Sequence, residues 1–303
     1  MEIALERMPV GAHVAVIRLR SLGDCILTTP ALAILRESRP DLRIAVVVED
    51  QFAPVFEGNP DVDALLRPSG RDLRAWGPQL CLNLHGGNRS LALTLLAGAR
   101  VRAGFGHFRG SFAYHIRIPT AQQVLGVTRK THTAEQLASA MFYLGAPRRE
   151  IPRARLFAQR PAAGPSYAVI HPMARGVGKT WPVERFVAVA GYVAEELGLE
   201  PVIIAGSGED LAAFRRYRTR VGAPLAEVKS LMAGASLFVG NDSGPAHMAA
   251  AFAVPVVVIF GSSDPQVWAP WRTTSESIIA RGPIESVSVG EVLTAIARLK
   301  VAA

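Results

Sequence analysis

The runs Arg43-Ile-Ala-Val-Val-Val48 and Val256-Val-Val-Ile-Phe260 are apolar at consecutive positions rather than at alternate ones. A strand with one wet face alternates apolar and polar side chains. A run without alternation needs cover on both faces, which a parallel sheet between two helix layers provides. Parallel neighbours cannot be joined by a tight hairpin, so such a chain is committed to repeated strand–helix crossovers. The rest of the sequence supplies them. Residues 14–19, 80–84, 167–170, 201–205 and 237–239 read as further strands. Residues 26–39, 90–97, 182–197, 209–220 and 245–252 read as helices, and 289–300 as an amphipathic helix near the C-terminus. The fold class is α/β.

A chain of 303 residues has room for two domains of about 150 residues each. The alternation breaks once, where Pro147, Pro152, Pro161 and Pro165 fall in a stretch rich in Arg and Ala. This reads as a linker between residues 1–160 and residues 161–303. The C-terminal helix is a candidate to pack back on the first lobe. A ligand is expected in a cleft between two such lobes.

The charge is divided the same way. The net +8 lies wholly in residues 1–160, and residues 161–303 are neutral. Between Asp72 and Glu135 there is no acidic residue, while Arg74, Arg89, Arg100, Arg102, Arg109, Arg117, Arg129 and Lys130 all fall there. Such a segment either forms a positive face for phosphate, nucleic acid or an anionic membrane, or is a set of scattered solvated charges. It carries no recognition-helix or RNP-like pattern, and Phe105, Phe108 and Phe112 read equally as core or acceptor-loop residues, so a nucleic-acid partner is not expected. Cys25 and Cys81 form no metal-ligand pattern and no disulfide framework, which points to a reducing cytosol. The start Met1-Glu2 lacks a signal-peptide layout. The longest uncharged, mostly apolar run, residues 248–260, is shorter than the ~20 residues a membrane span needs, so any membrane contact is expected to be peripheral.

Three segments could carry chemistry, each between a strand and a helix. Asn241-Asp-Ser-Gly-Pro-Ala-His247 opens a helix with small residues, which leaves amide groups and the positive end of the helix dipole open to an anion; Asp242 or Ser243 could equally be a plain cap. His171-Pro-Met-Ala-Arg-Gly-Val-Gly-Lys-Thr-Trp-Pro182 places Arg175 and Lys179 at the same end of the same sheet, as a diphosphate clamp or as a solvated loop anchored by Trp181. Ser21-Leu-Gly-Asp24 offers a carboxylate that is either a helix cap or a base for a sugar hydroxyl. Gly176-Val-Gly-Lys-Thr180 lacks the first glycine of a P-loop, and Gly206-Ser-Gly-Glu-Asp-Leu211 lacks the last glycine of a dinucleotide fingerprint. Asp61-Val-Asp63 is the only Asp-x-Asp pair and stands apart from these motifs, so no metal site is expected.

The ordered series Arg18-x2-Ser-Leu-Gly-Asp-x4-Thr-Pro-Ala31, Asn83-Leu-His-Gly-Gly87, His171-Pro…Lys-Thr-Trp-Pro182, Gly240-Asn-Asp-Ser-Gly-Pro-Ala-His247 and Phe260-Gly-x3-Pro265 resembles glycosyltransferase family 9, which includes ADP-heptose:lipopolysaccharide heptosyltransferases. The resemblance implies a GT-B architecture, with two Rossmann-like lobes whose parallel sheets face a central cleft; since positioned groups from both lobes must converge, the lobes are expected to close on the donor. It implies an inverting transfer of heptose from ADP-heptose to the lipopolysaccharide inner core, with no metal or other cofactor. Asp24 matches the general base. His171, Arg175, Lys179, Thr180, Glu209, Asp242, Ser243, Gly244, Pro245 and His247 match the donor site, with Lys179 at the phosphates and Glu209 at the ribose. The acceptor would be an anionic glycolipid at the inner face of the inner membrane, met by Arg18, Arg100, Arg102, Arg109, Arg117, Arg129, Lys130 and His132. A different nucleotide sugar or glycan on the same fold, or a non-catalytic nucleotide-binding scaffold, would fit the same motifs.

Overall fold

The computed structural model describes residues 4–160 and 164–301. The chain divides into two units, Met1–Phe157 and Ala158–Ala303. The first contains strands β1 (His13–Ile17), β2 (Arg43–Val47), β3 (Ala64–Leu66), β4 (Leu80–Asn83), β5 (Val101–Phe105) and β6 (Ile116–Ile118). Its helices are α1 (Leu22–Ser38), α2 (Gly70–Trp76), α3 (Asn88–Leu96), α4 (Ala121–Leu125) and α5 (Thr133–Leu144). The second contains β7 (Tyr167–His171), β8 (Glu200–Ala205), β9 (Arg218–Val221), β10 (Leu237–Asn241), β11 (Val256–Phe260) and β12 (Ser275–Ile279). Its helices are α6 (Val183–Glu195), α7 (Leu225–Ala233), α8 (Gly244–Ala251), α9 (Pro265–Trp268) and α10 (Val289–Arg298).

Each unit holds one six-stranded sheet, in the orders β3-β2-β1-β4-β5-β6 and β12-β11-β10-β7-β8-β9, and every pairing is parallel. Counted along its own unit, each sheet has the doubly wound Rossmann order. The strand order therefore reverses between β1 and β4 in the first unit and between β7 and β10 in the second. Ligands of such sheets bind outside the carboxyl ends of the strands at that reversal.

The non-alternating runs are interior strands, paired on both edges, and their residues are buried on both faces, as in Ile44–Val47 of β2 and throughout β11. Trp181, Phe186, Val189, Phe214 and Val292 fill the core of the second unit beneath its helices. The C-terminal helix α10 packs against α6, β11 and β12 of its own unit.

Two sequence expectations are corrected. Helix α1 begins at Leu22 rather than at 26, because Ser21 is its extended N-cap (φ −83°, ψ −175°). Residues 209–220 are not a helix. Leu211, Phe214 and Tyr217 recur every three residues and imitate helical spacing, but only a 3₁₀ turn (Ala212–Phe214) forms around the buried Phe214. The chain then extends into β9, an Arg-rich edge strand paired with β8, and such charged side chains suit a strand with one open edge. No helix among the described residues is long and apolar enough to cross a membrane.

Candidate functional site

In the first unit the β1–α1 loop and the β4–α3 turn leave the sheet side by side at the reversal point. Asp24 is the third residue of α1, not its cap. Its Oδ2 accepts hydrogen bonds from the Ser21 hydroxyl (2.8 Å) and the Ser21 amide (3.4 Å). Its Oδ1 accepts from Arg18 Nη1 at 3.4 Å. Arg18 is only 5% exposed, and its Nη2 donates to the Leu84 carbonyl, so one guanidinium ties the β1 loop to the β4 turn and to Asp24. The Asp24 side chain stays 26% exposed, held from behind and open in front.

Asn83, fully buried at the end of β4, shapes the neighbouring turn. Its Oδ1 accepts from the His85 amide (3.0 Å) and the Gly86 amide (3.1 Å), while its Nδ2 donates to Tyr114 Oη (3.0 Å) and Thr94 Oγ1 (3.2 Å). The His85 ring lies against the Arg20 backbone and within electrostatic reach of Arg18 and Asp24. Burial, reinforced by the Arg18 charge, lowers its pKa, so it stands beside Asp24 as a neutral imidazole.

In the second unit the equivalent loops follow β7 and β10. Asn241 plays the part that Asn83 plays in the first. Its Nδ2 donates to the Pro172 carbonyl (2.9 Å) and its Oδ1 accepts from the Trp181 amide (3.0 Å), which pins both ends of the loop between His171 and Trp181. Trp181 is fully buried and donates Nε1–H to the Val287 carbonyl at 2.8 Å. Between these anchors, Gly176 (φ +114°) and Gly178 (φ +69°) adopt conformations that favour glycine, and the loop tip is clasped from β11. Ser262 donates its amide to the Gly178 carbonyl (3.1 Å) and its hydroxyl to the Val177 carbonyl (2.9 Å). Thr180 donates its hydroxyl to the Ala174 carbonyl, closing the turn (3.1 Å).

This frame delivers Lys179 Nζ to 3.0 Å from Asp242 Oδ2, with Asp242 itself only 8% exposed. Ser243 stands at the cap position of α8, extended (φ −159°, ψ 169°), but its side chain makes no cap bond. It donates instead to the Asn241 carbonyl (3.1 Å) and meets His171 Nδ1 at 3.2 Å. Both contacts are satisfied when Nδ1 carries the proton, which leaves the His171 Nε2 lone pair free. The N-terminus of α8, with Gly244 and Pro245 in its first turn, is therefore an uncapped positive dipole end with an ammonium, an imidazole and a hydroxyl around it. Glu209 lies past the end of β8, where its Oε2 accepts from the Gly206 amide at 2.5 Å. His247 is buried one turn along α8, its ring 6.3 Å from that of Trp268.

The model of glycosyltransferase family 9 (heptosyltransferase) matches residues 67–288, most of the chain and both reversal-point loops of the second unit. The chain is a member of glycosyltransferase family 9. It is 28% identical over 304 residues to lipopolysaccharide heptosyltransferase 3 of Escherichia coli K12, covering 86% of this chain and 85% of that one. It is 23% identical to lipopolysaccharide heptosyltransferase 1 of Salmonella typhimurium, covering 84% and 89%. Among solved structures, a family 9 glycosyltransferase from Veillonella parvula superposes with a TM-score of 0.82 at 22% identity, covering 95% of this chain and 97% of that one. E. coli heptosyltransferase WaaC with ADP superposes at 0.79 and 20% identity, covering 95% and 99%. The two Rossmann-type units are thus those of the GT-B fold, and the family makes the protein a glycosyltransferase.

Within this family 9 enzyme, the basic residues named from the sequence separate by position. Arg109 follows β5 and lies at the sheet edge that carries Asp24. Arg129, Lys130 and His132 precede α5. Leu5 donates to the Leu144 carbonyl at the end of α5 and accepts from Arg39 at the end of α1, so the two packed helices end side by side. Arg129 makes a two-pronged bond to Glu135 (2.8 and 2.6 Å), and His132 is the N-cap of α5, its Nδ1 accepting from the Ala134 amide at 3.1 Å. His132 is thus buried in a capping role. Arg100 immediately precedes β5 and Arg102 is its second residue, so both stand at the opposite sheet edge, Arg102 bonded to the Ala113 carbonyl (3.0 Å) and to His115 (2.8 Å). Arg117 is exposed on β6, and Arg175 is exposed without a hydrogen bond or ion pair among the described residues. Asp61 and Asp63 pair with Arg155 (3.5 Å) and Arg36 (2.5 Å) and are structural. No group of three His, Cys, Asp or Glu side chains suited to a metal ion occurs among the described residues.

Sequence reasoning missed the supporting residues Ser21, Asn83, His85 and Asn241. All four stand within the motifs read from the sequence, but their supporting roles were not assigned there; for the two Asn residues, the position as last residue of a central strand was the available signal.

His171 makes the site measurable by pH. Burial pushes its pKa from 6.5 down to about 4. Between these values the unfolded chain takes up a proton that the folded chain refuses, so stability falls as pH drops from 6.5 towards 4 and levels off below. The full loss is about 3 kcal/mol as an upper figure. His171→Gln is expected to remove this part of the slope, read as urea-unfolding free energies at neutral and mildly acidic pH.

Proposed function

We propose that this glycosyltransferase moves heptose from ADP-heptose to the lipopolysaccharide inner core, with inversion and without a metal, as a cytoplasmic protein at the inner face of the inner membrane. The observation that carries this reading is the Lys179–Asp242 pair at the uncapped amino end of α8. Negative charge grows on the diphosphate as it leaves the sugar, and donors fixed in advance around that position stabilise the transition state. Lys179, the α8 dipole and the exposed Arg175 supply positive charge to the leaving diphosphate, and Asp242 keeps Lys179 Nζ in place. Glu209 would accept from the ribose hydroxyls. Asp24 takes the proton from the acceptor hydroxyl as its oxygen bonds to the anomeric carbon and the bond to ADP breaks. The Ser21 and Arg18 hydrogen bonds leave the carboxylate a fixed direction from which to act. The names of the curated relatives, lipopolysaccharide heptosyltransferases 3 and 1, support heptose and the lipopolysaccharide acceptor. WaaC has been solved with ADP and with ADP-2-deoxy-2-fluoro heptose, which supports the nucleotide.

Donor choice is tested by thermal shift. ADP-heptose at a hundredfold excess over Kd is expected to stabilise the fold by ~2.7 kcal/mol with or without EDTA. UDP-sugars at the same concentration are expected to leave Tm unchanged. Stabilisation by a UDP-sugar instead, or loss of the ADP-heptose shift in EDTA, would contradict the assignment.

A further inference from the structure

The first unit shows water an apolar patch on the same stretch of chain that has no acidic residue. Phe112 is 80% exposed and Leu95 is 50% exposed. Single exposed apolar side chains are ordinary; a cluster with a charged rim is not. Phe112 sits in a 3₁₀ turn (Ser111–Ala113) capped by Gly110 (φ +80°), and the Leu91 side chain packs directly against Gly110. That contact lays the turn along α3. Leu95 follows Leu91 by one helical turn and shares its face. Leu96, by contrast, packs towards Gly70 and belongs to the neighbouring helix contact.

Cations frame this patch. Arg109 precedes the turn and is exposed, and Arg117 is exposed on β6, the outermost strand of the sheet. Arg102 reaches the turn through the Ala113 carbonyl. Arg89, in the first turn of α3, pairs with Glu49 at 2.5 Å, the one acidic partner at this rim among the described residues. An apolar wedge between guanidinium groups complements a surface with phosphates outside and acyl chains beneath: aromatic and aliphatic side chains enter the acyl boundary while cations stay at headgroup level.

We propose that the face formed by α3 and the β5–β6 connection docks on an anionic lipid bilayer, with Phe112 and Leu95 entering the acyl boundary and Arg109 and Arg117 at the phosphates. The proposal rests on the reading that the acceptor is a membrane glycolipid, but docking is measurable without catalysis. The full chain is floated with phosphatidylcholine vesicles, with and without phosphatidylglycerol. Wild type is expected to float with the phosphatidylglycerol vesicles, and less so in high salt. Phe112→Ser is expected to weaken this by roughly tenfold or more, and Arg109→Gln with Arg117→Gln to abolish the preference for phosphatidylglycerol. Phe112→Ser should turn over a deacylated, water-soluble acceptor at the wild-type rate, which separates docking from folding.

Floating of Phe112→Ser equal to wild type would overturn the proposal, as would equal binding of wild type to both vesicle types. A wild-type dimer that Phe112→Ser converts to monomers would make the patch an interface between copies, and overturn it too. Docking as described, with no transfer of heptose by wild type, would leave the surface standing and remove the functional reading instead.

Discussion

Asp24→Asn is expected to lower kcat about a thousandfold, the middle of the range for one positioned proton acceptor, with donor affinity little changed. The substitution keeps shape and one acceptor oxygen, but an amide cannot take the proton of the acceptor hydroxyl. The surroundings explain why the position is demanding. Ser21 donates two hydrogen bonds to Oδ2 and Arg18 donates one to Oδ1, so the direction left for an acceptor hydroxyl is on Oδ1. Arg18 is buried and loses its counter-charge in this variant, so a stability loss of about 1–3 kcal/mol is expected, moderated by the partial exposure of Asp24. The readout is kcat for folded enzyme, with donor binding measured separately. Near-normal turnover in Asp24→Asn would remove the base assignment.

Lys179→Met is the second large effect and has two separable parts. Removing one preorganised donor to a developing negative charge is expected to lower kcat by about 10²–10³-fold. Asp242, 8% exposed, is then left without its ammonium, which costs about 1–3 kcal/mol of stability. Lys179→Met with Asp242→Asn should recover most of that stability and none of the rate. Recovery of both would mean that the pair only supports the loop and that the diphosphate is held elsewhere. Urea unfolding and single-turnover transfer on the same three proteins decide between these outcomes.

The non-alternating apolar runs made the parallel sheets legible, because only a strand covered on both faces tolerates them. Lys179 and Asp242 were both legible as members of strand-to-helix loops. The reversal of strand order then explains their meeting across 63 positions of sequence. Charge density was a poorer guide to the acceptor side. It could not separate Arg109, at the edge that carries Asp24, from Arg100 and Arg102 at the far edge, since strand direction decides that. His132 looked like a ligand contact and is a helix cap, because a ring nitrogen that accepts from an amide leaves no signature in composition. His85 was visible in its motif, but its role was not: its lowered pKa comes from burial and from Arg18, which is remote in sequence. Residues 209–220 misled because a three-residue apolar spacing fits a buried 3₁₀ turn before an edge strand as well as it fits a helix.

The most direct test of the central claim is transfer itself. Purified enzyme is incubated with ADP-heptose and a lipopolysaccharide core acceptor in EDTA, and the acceptor is analysed by mass spectrometry and by NMR of the new anomeric centre. The expected result is a gain of one heptosyl residue in the inverted configuration, lost in Asp24→Asn and Lys179→Met. Tight binding of ADP-heptose with an unchanged acceptor, or transfer only from another nucleotide sugar, would contradict it.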